Sequence, residues 1–73
     1  MEKNEIKITT EFIRLDAALK LAHLVGSGGE AKIRIQQGEV KVNGEVCTMR
    51  GKKLHPGDSA QLGEHLIAVS AEA

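Results

Sequence analysis

Along this chain apolar residues first alternate with polar ones and then fall into a spacing of three and four. In "EIKIT", Ile6 and Ile8 share one side of an extended segment, which predicts a short half-buried strand. From about Glu11 the period changes. Phe12, Leu15, Leu19 and Ala22, with Ala18 beside them, mark one face of a helix that Thr10 is placed to cap. Asp16 and Lys20, four apart in the acid-first order, suit a surface pair contributing a few tenths of a kcal/mol. Gly26 is placed to end that helix in a left-handed conformation. Ser27 followed by Glu30 then forms a capping box, with the serine oxygen accepting from the Glu30 amide and the glutamate reaching back to the Ser27 amide. A second helix is predicted from about Gly28 to Gln37, stopping at Gly38, with Ala31 and Ile35 on one stripe and Ile33 directed elsewhere. The alternation in "KIRI" also suits a strand, but cap, length and terminal glycine agree on helix.

"GEVKVNGEV" reads as strand, turn, strand, because Asn43 and Gly44 both tolerate positive φ. A two-residue loop pairs Val46 with Lys41, and a three-residue loop pairs it with Val42. Keeping the valines on one buried face favours the second register. "RGKKLHPGD" carries another turn at Pro56, Gly57 and Asp58, and "LIAV" supplies a closing apolar strand. No repeat, linker or low-complexity tract interrupts the chain, so residues 1–73 are expected to form one domain.

A chain of 73 residues, 41% of them hydrophobic and nearly all aliphatic, suits a small compact core with a thin stability margin. Phe12, the sole aromatic residue, is expected within that core. No apolar run is long enough to cross a bilayer, and "MEKNEIKITT" lacks the sections of a secretory signal, so a cytoplasmic location is expected. The single cysteine, Cys47, agrees with a reducing compartment.

Net charge is zero, but its distribution is uneven. Residues 1–30 carry −1, residues 31–53 carry +4 and residues 54–73 carry −3. The basic middle third, Lys32, Arg34, Lys41, Arg50, Lys52 and Lys53, is able to attract a polyanion although the whole chain is neutral.

"GSGGEA" fits the letters of a dinucleotide fingerprint, but that motif must leave a strand within a parallel βαβ unit, and here a helix precedes it. No G-K-[ST] follows to make a Walker loop. His23, His55 and His65 offer no metal-ligand spacing, Cys47 has no partner, and no nucleophile stands in a recognisable triad. No catalytic residue, metal or cofactor is therefore assigned. "RGKK" at 50–53 is short, glycine-flexed and nearly free of neutralising acids, as a phosphate-binding loop would be. With no Trp or Tyr, and Phe12 assigned to the core, aromatic base stacking is not expected.

"RLDAALKLAHLVGSGGEAKIRIQQGEVKVNGEV" followed by "KLHPGD" resembles the S4 RNA-binding domain, over roughly residues 13–69. The shared features are an Arg-Leu-Asp helix start, a serine-led second helix, G-x-V-x-V-N-G and a later G-D. The chain looks most like the small stand-alone bacterial members. The resemblance implies an α+β fold, the αL motif, in which two antiparallel helices pack on a small, bent, mostly antiparallel sheet and RNA crosses the helical pair and an adjoining loop. It places Arg14, Lys32 and Lys41 among RNA-facing groups and makes Asp16 an organiser of neighbouring cations, while Asn43, Gly44, Gly57 and Asp58 shape turns. Two departures stand out. Many members have Ser-Arg where this chain has Ser27-Gly28, which shifts weight toward "RGKK", and Arg34 replaces a residue that is often apolar.

The expected function is non-enzymatic recognition of structured RNA, with ribosomal RNA a candidate, through Arg14, Lys32, Arg34, Lys41, Arg50, Lys52 and Lys53. The expected protein is a monomer with no membrane and no small-molecule substrate. A protein-interaction adaptor that docks its basic loop on an acidic partner is the competing expectation.

Overall fold

The computed structural model describes residues 2–72 of the chain. Strand β1 (Glu2–Ile8) and a two-residue strand β2 (Ile13–Arg14) precede the helices α1 (Leu15–Leu21) and α2 (Gly28–Gln36). Five strands follow: β3 (Val40–Val42), β4 (Glu45–Val46), β5 (Lys53–Leu54), β6 (Ser59–Leu62) and β7 (His65–Ala71). The main sheet has the order β1-β7-β6-β3-β4, and β2 pairs with β5 in a separate antiparallel ladder. Every pairing is antiparallel except that of β1 with β7, which run parallel over their whole length with Ile6 opposite Val69. The sheet is therefore mixed and mostly antiparallel, and the domain is α+β.

The alternation that predicted β1 holds. Ile6 and Ile8 are buried and join Val40, Val42, Ala60, Leu62, Ile67 and Val69 on the sheet's inner face. Leu15, Ala18 and Leu19 of α1 and Ala31 and Ile35 of α2 close over that face, while Ile33 stays exposed as its position on α2 predicts. Among the described residues no helix is long and apolar enough to cross a membrane.

The start of α1 departs from the sequence pattern. Thr10 does not cap it; its hydroxyl donates to the Phe12 carbonyl (2.8 Å). Ile13 and Arg14 are drawn into an extended pairing with Leu54 and Lys53, so the helix begins only at Leu15, and Phe12 lies outside both helix and core. The N-cap is Arg14, which makes no side-chain capping bond. A helix leaves its first amides without internal partners, and here they are met from elsewhere. Leu15 donates to the Lys52 carbonyl (2.8 Å), Asp16 to the Arg50 carbonyl (3.2 Å), and Ala17 to the Asp16 carboxylate (2.8 Å). The 50–52 loop is thus the cap of α1.

Both helices end in the same way. The Leu24 amide reaches the Leu19 carbonyl (3.0 Å) and the His23 amide the Lys20 carbonyl (3.0 Å), a Schellman closure. It is His23, at φ +60°, that takes the left-handed position expected of Gly26. On α2 the closure is Glu39 to Arg34 (3.2 Å) and Gly38 to Ile35 (3.0 Å), with Gly38 at φ +78°. At the start of α2 the Ser27 oxygen accepts from the Glu30 amide (3.1 Å) as expected, but the Glu30 carboxylate takes the Gly26 amide (2.7 Å) rather than that of Ser27.

The hairpin register also differs from expectation. Val42 opposes Glu45 and Lys41 opposes Val46, across a two-residue turn with Asn43 at φ +51° and Gly44 at φ +86°. Turn geometry decides because β4 is only two residues long and exposed on both sides, so burial has nothing to select. At the second turn, Pro56 and Gly57 (φ +99°) carry the chain from His55 to Asp58, whose amide donates to the His55 carbonyl (2.9 Å).

Candidate nucleic-acid interface

At the first turn of α1 the structure gathers charges that lie far apart in sequence. Asp16 Oδ2 accepts from Arg14 Nη2 (3.2 Å) and from Arg50 Nε and Nη2 (both 3.0 Å). Asp16 is therefore not the surface partner of Lys20; it is a buried hub, as the Arg-Leu-Asp resemblance implied. Its side chain is 10% exposed, while those of Arg14 and Arg50 are 53% and 41% exposed. One carboxylate thus fixes two guanidiniums from behind and leaves both with outward surface and spare donors.

The loop that caps α1 carries the rest of the cluster. Lys53 pairs with Arg14 across the β2–β5 ladder, and Lys52 supplies the carbonyl that Leu15 needs. A Cβ placed on Gly51 would come within 3.9 Å of Arg14 Nη2, and one on Gly28 within 3.9 Å of Arg50 Nη2. Arg50 therefore reaches the start of α2 at Gly28, the position where the S4 resemblance leads one to expect an arginine. Lys32 is exposed one turn beyond Gly28 on the same flank of α2.

Two candidates lie elsewhere. Arg34 is two positions, about 200°, around the helix from Lys32. It is held by Glu39 (3.0 Å) and Glu30 (3.7 Å). Its side chain is half-buried, and its charge is balanced locally by two carboxylates. Lys41 is exposed between the buried Val40 and Val42, so it stands on the sheet face turned away from the helices. Arg14, Arg50, Lys52 and Lys53 form one corner with Lys32 at its edge, and Arg34 and Lys41 are outside it.

A clasp between the two turns steadies the far side of the corner. Asn43 donates from Nδ2 to Asp58 (3.1 Å) and accepts the Ser59 amide at Oδ1 (2.9 Å), while Asp58 also accepts the His55 amide (2.7 Å). The His55 amide bond, then the Asn43 bond and the nearby charges of His55 and Lys52, hold the Asp58 carboxyl below the usual aspartate value against the opposing effect of burial. Phe12, expected in the core, is only partly buried and instead meets Lys53, whose Nζ lies 4.9 Å from the ring centroid, and His55, at 6.1 Å and 51°. Only the pairing of Ile13 with Leu54, some forty positions away, places the ring here, and no local signal announces it.

The sequence that builds this site is similar to known proteins. The S4 domain pattern matches residues 6–70, nearly the whole chain. The chain is 46% identical over 59 residues to a Bacillus subtilis (strain 168) protein named "Probable ribosome maturation protein RlbA", covering 81% of this chain and 83% of that one. It is 37% identical over 59 residues to an Escherichia coli (strain K12) protein named "Putative RNA-binding protein YbcJ", covering 81% and 84%. With the pattern spanning helices, hairpin and closing strands together, the chain belongs to the S4 domain family.

Proposed function

We propose that this chain is a non-enzymatic RNA-binding domain that, as a monomer, holds structured RNA by its phosphates, with ribosomal RNA the foremost class. Arg14, Arg50, Lys52 and Lys53 are the contact groups, with Lys32 extending the surface along α2. The observation that carries the reading is the sharing of Asp16 by Arg14 and Arg50, which orients two guanidiniums at little further entropy loss on binding and leaves a local excess of positive charge. Gly28 and Gly29 add a helix start free of side chains that would keep a backbone phosphate at a distance. Membership of the S4 family and the names of the two relatives, one tied to ribosome maturation and one to RNA, support the same reading. Side chains cannot enter the deep major groove of A-form RNA, so such a surface reads shape and phosphate spacing with little sequence preference.

The test is titration of a fluorescent RNA hairpin across a salt series. Affinity is expected to fall linearly on logarithmic axes, and Lys52→Ala is expected to make that slope shallower by about one unit. Affinity that falls with an unchanged slope excludes the phosphate role. An association with ribosomal material that survives digestion by RNase points instead to an acidic protein partner. Because the chain has neither Trp nor Tyr, base-like ultraviolet absorbance of the purified protein reports bound nucleic acid directly.

A further inference from the structure

Phe12 is an odd use of the chain's single aromatic residue. The core is aliphatic without it, and its ring lies partly exposed beside the basic corner, under the Lys53 ammonium and at an angle to His55. On the side of His55 away from this ring, Met49, Lys52, Lys53, His55 and Asp58 line an open depression of about 400 Å³, so Phe12 stands beside it and not within its lining. The rings are held from behind. The pairing of Ile13 with Leu54 sets Phe12, and the bond from the His55 amide to Asp58 sets His55.

Building on the RNA-binding reading above, we propose that Phe12 and His55 receive an unpaired nucleobase, so that the preferred RNA is a duplex adjoining an unpaired nucleotide rather than a duplex alone. A paired base has both faces covered by its neighbours in the stack, and only an unstacked base offers a face to an aromatic side chain. The seat is now taken by Lys53, through an exposed cation–π contact. A base on a ring is the stronger contact, so the exchange runs toward the base. The displaced ammonium then gains a charge-assisted bond to the phosphate of the same nucleotide. Lys53 thus serves as a placeholder that becomes a phosphate ligand.

Two labelled hairpins test this with the full chain: one fully paired, and one identical but for a single bulged adenosine. The bulged hairpin is expected to bind about tenfold more tightly. Phe12→Leu keeps apolar bulk but removes the ring, and is expected to abolish that preference while leaving affinity for the paired hairpin within about twofold. 2-Aminopurine at the bulge is expected to lose fluorescence on the wild-type protein and to keep it on Phe12→Leu. If Phe12→Leu unfolds, His55→Ala, at an exposed side chain, is expected to reduce the preference about threefold. Equal affinity for both hairpins, or a preference that survives these changes, overturns the stacking site and leaves the duplex role standing. Absence of salt-sensitive binding to either hairpin overturns both.

Discussion

At the first turn of α1 two arginines share one buried carboxylate, whereas on α2 one arginine lies between two exposed ones. The bond lengths are similar, near 3 Å for Arg50 to Asp16 and for Arg34 to Glu39. What differs is the proportion of charges and the depth of the acid. Asp16 is enclosed by the helix and by the loop that caps it, so it anchors Arg14 and Arg50 while leaving a positive surplus facing outward. Glu30 and Glu39 are solvated, and together they outnumber Arg34. A cationic residue in a basic stretch of sequence is thus a weak guide to the local field; the count of acids within reach of it decides.

The comparison breaks most severely at the hub. Asp16→Ala removes the acceptor of Arg14, Arg50 and the Ala17 amide at once. It is expected to lower unfolding free energy by about 2 kcal/mol in a urea titration, below the roughly 3–5 kcal/mol of a fully buried ion pair because both arginines keep solvent contact. Asp16→Asn retains an acceptor for Ala17 but leaves two guanidiniums without a counter-charge, and about half that loss is expected. Glu39→Ala, made at the other arginine, is expected to cost less than about 0.5 kcal/mol.

Acid titration probes the clasp behind the basic corner. The folded-state pKa of Asp58 is lowered from the ordinary value of 3.8, so its stabilisation is complete above that pH and is lost as pH falls below 3.8 through the depressed folded value. Asp58→Ala is expected to lower stability at pH 7 by about 1 kcal/mol and to flatten the decline in stability on acidification. A decline as steep in the variant as in the wild type contradicts the assignment. On binding, a small effect is expected from Gly28→Arg. Arg50 already approaches that position at an ordinary contact distance, so the added cation is expected to tighten RNA binding by only about threefold.

The contrast between the two arginine sites was only partly legible in the sequence. Periods and caps are local, and they located β1, the buried stripe of α2, the Ser27 cap and both turns. The Arg-Leu-Asp resemblance even marked Asp16 as an organiser. What local pattern does not contain is the partner of an edge. Ile13 and Arg14 read as the opening of a helix because nothing near them shows that Leu54 and Lys53 will hold them extended. The same long-range pairing delivers the carbonyls of Arg50 and Lys52 to α1 and moves Phe12 from the core to the corner. The alternation around Val46 misleads for a related reason: it implies a face only where a strand is long enough to have one, and β4 has two exposed residues. Arg34 looked equivalent to Lys32 because a two-residue spacing says nothing of which flank of the helix the acids occupy.

The central claim is that Arg50 faces phosphate and Arg34 does not. The salt dependence of affinity for one RNA hairpin, measured for wild type, Arg50→Ala and Arg34→Ala, tests it most directly. The account predicts that Arg50→Ala weakens binding about tenfold and makes the logarithmic slope shallower by about one unit, while Arg34→Ala changes neither beyond twofold. Equal losses of slope for the two variants, or a loss at Arg34 alone, would contradict it.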